Sequence, residues 1–181
     1  WKDALTYSDV PAEALYYSDV RTCRERGWLR GTSGSTFSPD GAMTRAMFVT
    51  VLARLSGDTL TEQTSFSDVP AGQWYSAAVS WAAENGIVLG YPDGTFRPNQ
   101  YITRAEAMTL VNRVLNRLPE NSSDLLDSMI KWPDNSDASA WYYLAVQEAT
   151  NSHAYSDKSK DDKYEKWTTI RDARDWTELE K

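Results

Sequence analysis

Phe66-Ser67-Asp68-Val69-Pro70-Ala71 restates Tyr7-Ser8-Asp9-Val10-Pro11-Ala12 at a displacement of 59 residues, with no gap. The same displacement sets Tyr16 on Tyr75, Val20 on Val79, Gly27 on Gly86, Gly31 on Gly90, Thr36-Phe37 on Thr95-Phe96 and Thr44-Arg45-Ala46 on Thr103-Arg104-Ala105. A decayed third copy begins at Trp132-Pro133-Asp134 and continues through Trp141-Tyr142 to Val146. Turn residues that recur at one offset mark a copied supersecondary unit, and such units rarely stand alone. The repeats run over 1–58, 64–119 and, divergently, 129–181. Each is too small for a sturdy core of its own, so they are expected to form one structural unit.

The second copy is the clearest. Ser67-Asp68-Val69-Pro70 reads as a turn before a helix. Trp74 to Asn85 carries Ala78, Val79, Ala82 and Ala83 at the spacing of one helical stripe, and Asn85-Gly86 is a helix stop. Pro92-Asp93-Gly94 is a tight-turn signature, with Phe96 and Pro98 placed to plug the turn onto the core. Thr103-Arg104-Ala105-Glu106 is a capping box, opening a helix whose apolar face runs Met108, Val111, Val114, Leu115, Leu118 and stops at Pro119. In the first copy Met47 replaces the Glu, so the Thr44 cap is half made, and Leu15 stands where the second copy has Trp74.

The third copy keeps a first helix, Trp141 to Asn151, and lacks Thr-Arg-Ala-Glu. Ala154 to Tyr164, rich in Lys and Asp, reads as a solvated loop or hairpin, and Lys166-Trp167 to Leu179 as a closing helix. Such a terminal repeat is either an end cap or a copy that has lost its function. The fold expected is all-α: three helix–loop–helix repeats around shared second helices.

Bulk composition sets limits. A formal charge of -7 argues against nucleic acid as a partner. No apolar run approaches the roughly 18 residues of a membrane span, and membrane insertion is not expected. Cys23 is the lone cysteine and aligns with Ala82, which reads as a small buried hydrophobe. The start at Trp1, without Met, reads as a processed or excised piece of something longer. His153 is the lone histidine; it has no nucleophile at a recognisable spacing, and no phosphate loop or Cys/His metal pattern is present. No catalytic residue, metal site or cofactor is assigned.

Phe66-Ser67-Asp68-Val69-Pro70, Trp74-Tyr75, Asn85-Gly86, Gly90-Tyr91, Asp93-Gly94-Thr95-Phe96-Arg97-Pro98 and Ile102-Thr103-Arg104-Ala105-Glu106 together resemble the S-layer homology (SLH) domain. The resemblance is near complete over 66–118, clear over 7–57 and confined to the front half of 129–181. It implies three repeats packed as a pseudo-threefold trimer around a central helix bundle, with grooves between repeats. It also implies a non-catalytic module, extracellular and associated with the cell wall or S-layer. The implied partner is a secondary cell-wall polysaccharide, often ending in pyruvylated N-acetylmannosamine.

The residue chemistry agrees with an anionic sugar. Arg45 and Arg104 lie in the first turn of a helix, where a cation opposes the dipole, and a carboxylate held bidentately would account for them. Their other reading is a surface ion pair with Glu106 or Asp40. Trp74 and Trp141 could present faces to a sugar ring or plug the core. Asp9, Asp68 and Asp134 could accept from sugar hydroxyls or form turns and caps. Thr44, Thr103 and Glu106 are structural caps. The rival function is a degenerate array that packs against other proteins without binding glycan.

Overall fold

The structure is a computed structural model that describes residues 7–63, 66–158 and 163–173. In order they form α1 (Tyr17–Glu25), α2 (Arg45–Ser56), α3 (Ser76–Glu84), α4 (Arg104–Val114), β1 (Leu118–Pro119), α5 (Tyr143–Thr150), β2 (His153–Asp157) and β3 (Tyr164–Ile170). Short 3-10 turns cover Ser122–Asp124 and Pro133–Asn135.

The displacement of 59 holds in atoms as well as letters. Asp9 accepts from the amides of Phe37 and Ser38, and Asp68 from those of Phe96 and Arg97. Arg54 donates to the Trp28 carbonyl and Arg113 to that of Ile87. Ser38 and Arg97 both take a left-handed φ, 61° and 60°, where a non-glycine residue needs outside support. The Asp carboxylate supplies it by holding the amide of that same residue. Gly90 must be glycine on two counts: its φ is 71°, and a Cβ there would collide with the Phe66 ring and the Thr95 carbonyl.

The chain divides into two compact units, Trp1–Glu84 with Leu89–Tyr101, and Asn85–Val88 with Ile102–Lys181. The units cut across the second repeat. In the first unit α2 packs on α3; in the second α4 packs on α5. The second helix of one copy therefore meets the first helix of the next. The first unit buries Ala46, Val49, Leu52 and Ala53 of α2 with Ala78, Val79 and Ala82 of α3, and Phe96 is fully enclosed. Cys23 is half-buried.

The all-α expectation is overturned by a three-stranded mixed sheet in the second unit, ordered β1-β3-β2. β1 pairs in parallel with β3, and β2 pairs antiparallel with β3, with an irregularity between Ala154 and Tyr155. Among the described residues the third copy has no second helix, so a trimer of three helix–loop–helix repeats around a threefold bundle lacks a member. The cause is local. Where the first copies stop a helix with a left-handed Gly, α5 ends at Asn151 in extended geometry (φ -110°, ψ 128°) and the chain runs straight into β2. The closing helix expected over Lys166 to Leu179 is strand as far as Ile170, and its part beyond 173 lies outside the described residues. β3 alternates, with Glu165 and Trp167 inward and Lys166 and Thr168 outward, the period of a strand with one face on a core.

The second helix of copy two also ends earlier than Pro119 requires. It closes at Val114, Asn116 turns left-handed (φ 52°), and Leu118–Pro119 becomes β1. Leu110 is the buried anchor of α4, whereas Leu115, expected on the apolar face, is 59% exposed.

Candidate functional site

In the second unit a pocket of about 650 Å³ opens between the start of α4 and the face of α5. Thr103, Arg104, Ala105 and Met108 line one side; Trp132, Asp134, Asn135, Tyr142, Val146 and Thr150 line the other. Tyr142, Val146 and Thr150 recur every four residues, so one stripe of α5 faces the pocket. Trp132 is fixed by its indole N–H, which donates to the Thr150 hydroxyl at 2.8 Å, and that hydroxyl donates to the Val146 carbonyl at 2.6 Å.

The α4 side is built by its cap. Thr103 Oγ1 accepts from the Glu106 amide, and the Glu106 carboxylate accepts from the Thr103 amide at 2.8 Å. This satisfies the cap and leaves the first two helical amides, those of Arg104 and Ala105, without an acceptor among the described residues. Arg104 is exposed and, within the same set, makes no ion pair or hydrogen bond. Unpaired amides at a helix start and a free guanidinium together make an anion-binding locus. Across the pocket, Asn135 is 4% exposed; its side-chain N–H donates to the Tyr143 carbonyl, while its Oδ1 has no donor among the described residues. A buried acceptor without a donor is costly unless a ligand or water supplies one.

The other anticipated residues fall elsewhere. Arg45 is 7% exposed, donates Nε–H to the Phe96 carbonyl at 2.8 Å and lies over the Tyr91 and Phe96 rings. Its amide donates to the Gln100 carbonyl, and that of Ala46 to the Pro98 carbonyl. Asp9 and Asp68 clamp loop amides, and the Phe37 amide foremost holds the Asp9 carboxyl below the usual carboxylate range. Asp134, their counterpart, accepts no hydrogen bond among the described residues and lines the pocket instead. Trp74 and Trp141 are 60% and 65% exposed, each edge-on to the following tyrosine at 5.1 and 5.3 Å. Trp141 reaches the pocket only through Tyr142; Trp74 belongs to the first unit. Thr44 accepts from the Met47 amide.

Sequence reasoning brought Arg104 and Asp134 to this place and missed Trp132, Asn135, Tyr142 and Thr150. The signal for the last two was the four-residue spacing Tyr142–Val146–Thr150 on a helix already read as amphipathic.

One buried cluster has metal-like composition. Glu148, His153 and Glu165 bring one ligand atom each within 4.8 Å of one another. The Arg117 guanidinium stands 2.8 Å from Glu148 Oε1 and 2.9 Å from His153 Nε2, in the place an ion would take. The set is an ion-pair cluster that contains its own cation.

Two segments, residues 6–47 and 65–108, match the S-layer homology domain family; no third is matched. The chain is 28% identical over 176 residues to Cell surface glycoprotein 1 of Acetivibrio thermocellus, covering 91% of this chain and 7% of that protein. It is 29% identical over 161 residues to the Cellulosome-anchoring protein of the same organism, covering 84% of this chain and 34% of that one. A 55-residue stretch, 30% of the chain, is 53% identical to Outer membrane protein SlpA of Thermus thermophilus and covers 6% of it. The chain thus spans between 6% and 34% of the length of these curated relatives. The kinship points to a non-catalytic cell-surface module, and among the described residues no helix is long and apolar enough to cross a membrane.

Proposed function

We propose that this chain is an anchoring module of the cell envelope that binds an anionic wall saccharide, of the pyruvylated N-acetylmannosamine kind, in the pocket at the start of α4. The observation that carries the reading is Arg104, exposed and without a charged partner among the described residues, at a helix start with two open amides. A carboxylate there takes charge-assisted bonds from guanidinium and backbone together. Asn135 Oδ1 and Asp134 supply acceptors for hydroxyl or N-acetyl N–H groups, and Trp132 and Tyr142 supply flat apolar surface for the ring. Asp9, Asp68 and Arg45 hold loop backbone groups outside this pocket, and Trp74, exposed in the first unit, does not line it.

The test is calorimetry with a pyruvylated aminosugar on the parent chain and on Arg104→Ala. Hydrogen bonds to charged groups contribute about 1.5–3 kcal/mol, so affinity falls by about one to two orders of magnitude. Stability stays level, because removing a cation from a first turn relieves a small dipole penalty. Equal affinity in the two proteins would refute the site. Retention on purified walls, lost after hydrofluoric-acid extraction of secondary polymers, identifies the partner class.

A further inference from the structure

α5 has a second face. Opposite Tyr142, Val146 and Thr150 it carries Glu148, which enters the buried cluster joining α5 to all three strands' neighbourhood: Arg117 just before β1, His153 on β2 and Glu165 on β3. The Glu148, His153 and Glu165 side chains are at most 2% exposed. His153 Nε2 lies 3.2 Å from Glu148 Oε1 and 3.2 Å from Glu165 Oε1. Its Nδ1 lies 2.7 Å from the Asn151 carbonyl, which fixes a proton there, and the ring stacks on Trp167 at 4.0 Å. Trp167 donates to Glu148 Oε2 at 2.7 Å, and Arg117, over the Tyr155 ring, reaches Glu165 Oε2 at 3.4 Å. Among the described residues, Arg117, Glu148 and Glu165 are the charged groups that reach this histidine.

With His153 neutral, its Nε2 accepts from the Arg117 guanidinium at 2.9 Å, and the set holds one positive and two negative charges, a net negative charge out of water. A proton on Nε2 gives up that bond and turns the N–H toward Glu148 Oε1 and Glu165 Oε1. That one added proton makes the set neutral, and burial penalises the unbalanced state. We propose that Arg117, Glu148, His153 and Glu165 form a proton-dependent latch that seats the β2–β3 strand pair on α5 and so sets the position of the pocket face of that helix. The latch itself stands on the cluster geometry; its effect on ligand binding rests on the pocket assignment made above.

The pH window follows from the directions of the shifts. Burial opposes charge on His153, but hydrogen bonds to Glu148, the Asn151 carbonyl and Glu165 outweigh it and raise its pKa above 6.5. Burial, then the Glu148 charge, raises Glu165 as well, so both groups favour keeping the proton within the coupled set. A pKa raised in the folded state gives stability that is full below the unfolded value of about 6.5 and is lost as pH rises through the folded value. Burial opposes ionisation of Glu148, but bonds from His153 and Trp167 prevail and lower its pKa below 4.5. Its contribution is present above 4.5 and is lost as pH falls through the lowered value. The latch is closed in mildly acid solution and opens toward alkaline pH.

His153 is the single histidine, so its imidazole C–H signals in NMR report one titration. A midpoint above about 6.5 is expected; a midpoint at or below that value overturns the latch. Amide protection factors across β2 and β3 fall through the same midpoint in the parent chain and lose that dependence in His153→Gln. In Glu165→Gln, which keeps the shape, the histidine midpoint moves down. Protection indifferent to pH in the parent chain also overturns the latch. Titrating the pyruvylated aminosugar at several pH values tests the coupling: affinity weakens above the midpoint by up to about tenfold per pH unit, the limit for one linked proton. Binding that ignores a titrating His153 overturns the coupling. No binding at any pH, with the NMR and exchange results as expected, upholds the latch and rejects the pocket assignment instead.

Discussion

Thr44-Arg45-Ala46 and Thr103-Arg104-Ala105 are the same three letters with the same threonine cap, yet the two arginines have opposite fates. Arg45 is buried under Phe96 to Gln100: carbonyls of that loop accept from its guanidinium, its amide and the amide of Ala46. Arg104 has no such loop above it among the described residues, because the third copy turns into strands where a loop matching 96–100 would begin. The motif alone does not decide whether its arginine is a structural prop or a ligand contact. What the next repeat sets is whether the helix start is covered, as at Arg45, or left open, as at Arg104.

The comparison can be broken most severely by cutting the molecule where the sequence repeats rather than where it packs. Residues 66–118 excised alone contain parts of both compact units: α3 without α2 and α4 without α5. This fragment is expected to show no cooperative thermal transition by circular dichroism; a sharp transition would mean that the repeat is a folding unit after all. Next in size is Arg45→Ala. It removes a buried charge-assisted bond and contacts with two rings, at a cost of about 2–4 kcal/mol in chemical denaturation, while saccharide affinity stays unchanged. This is the mirror image of Arg104→Ala, and similar behaviour of the two variants would dissolve the distinction. The smallest effect is that of the caps. Thr103→Ala and Thr44→Ala each lose about 1 kcal/mol of stability. Thr103→Ala costs the more, since its carboxylate partner Glu106 also loses its hydroxyl contact at 3.0 Å, for which Met47 offers no equivalent.

What was legible in the sequence was what local chemistry controls. Thr103 with Glu106, and the glycines at 27 and 86, act within a few residues of themselves. The reading of Ala154 to Tyr164 left a hairpin open, and β2 does pair antiparallel with β3; β1 and the run of β3 to Ile170 were missed because the third copy was set against a helical template. Yet Glu165-Lys166-Trp167-Thr168 alternates, and Trp167-Thr168-Thr169-Ile170 is rich in strand formers. Lys158 does not simply point to water; it pairs with Glu120 and Asp124, and against the effect of burial this holds the Asp124 carboxyl below its ordinary range. The buried cluster was beyond sequence reading, because Arg117 and Glu165 are 48 residues apart and nothing local distinguishes either from a surface charge. Arg45 misled for a related reason: its acceptor, the Phe96 carbonyl, is 51 residues away.

The loop that closes over Arg45 also fixes how such an array can hold on to a surface. If only an uncovered helix start takes a sugar, adding repeats of the first kind buries one site for each one it creates, and the count of usable sites does not grow with chain length. Valency is then a property of the one copy whose helix start is left uncovered, and multivalent grip must come from many molecules side by side rather than from many repeats in one.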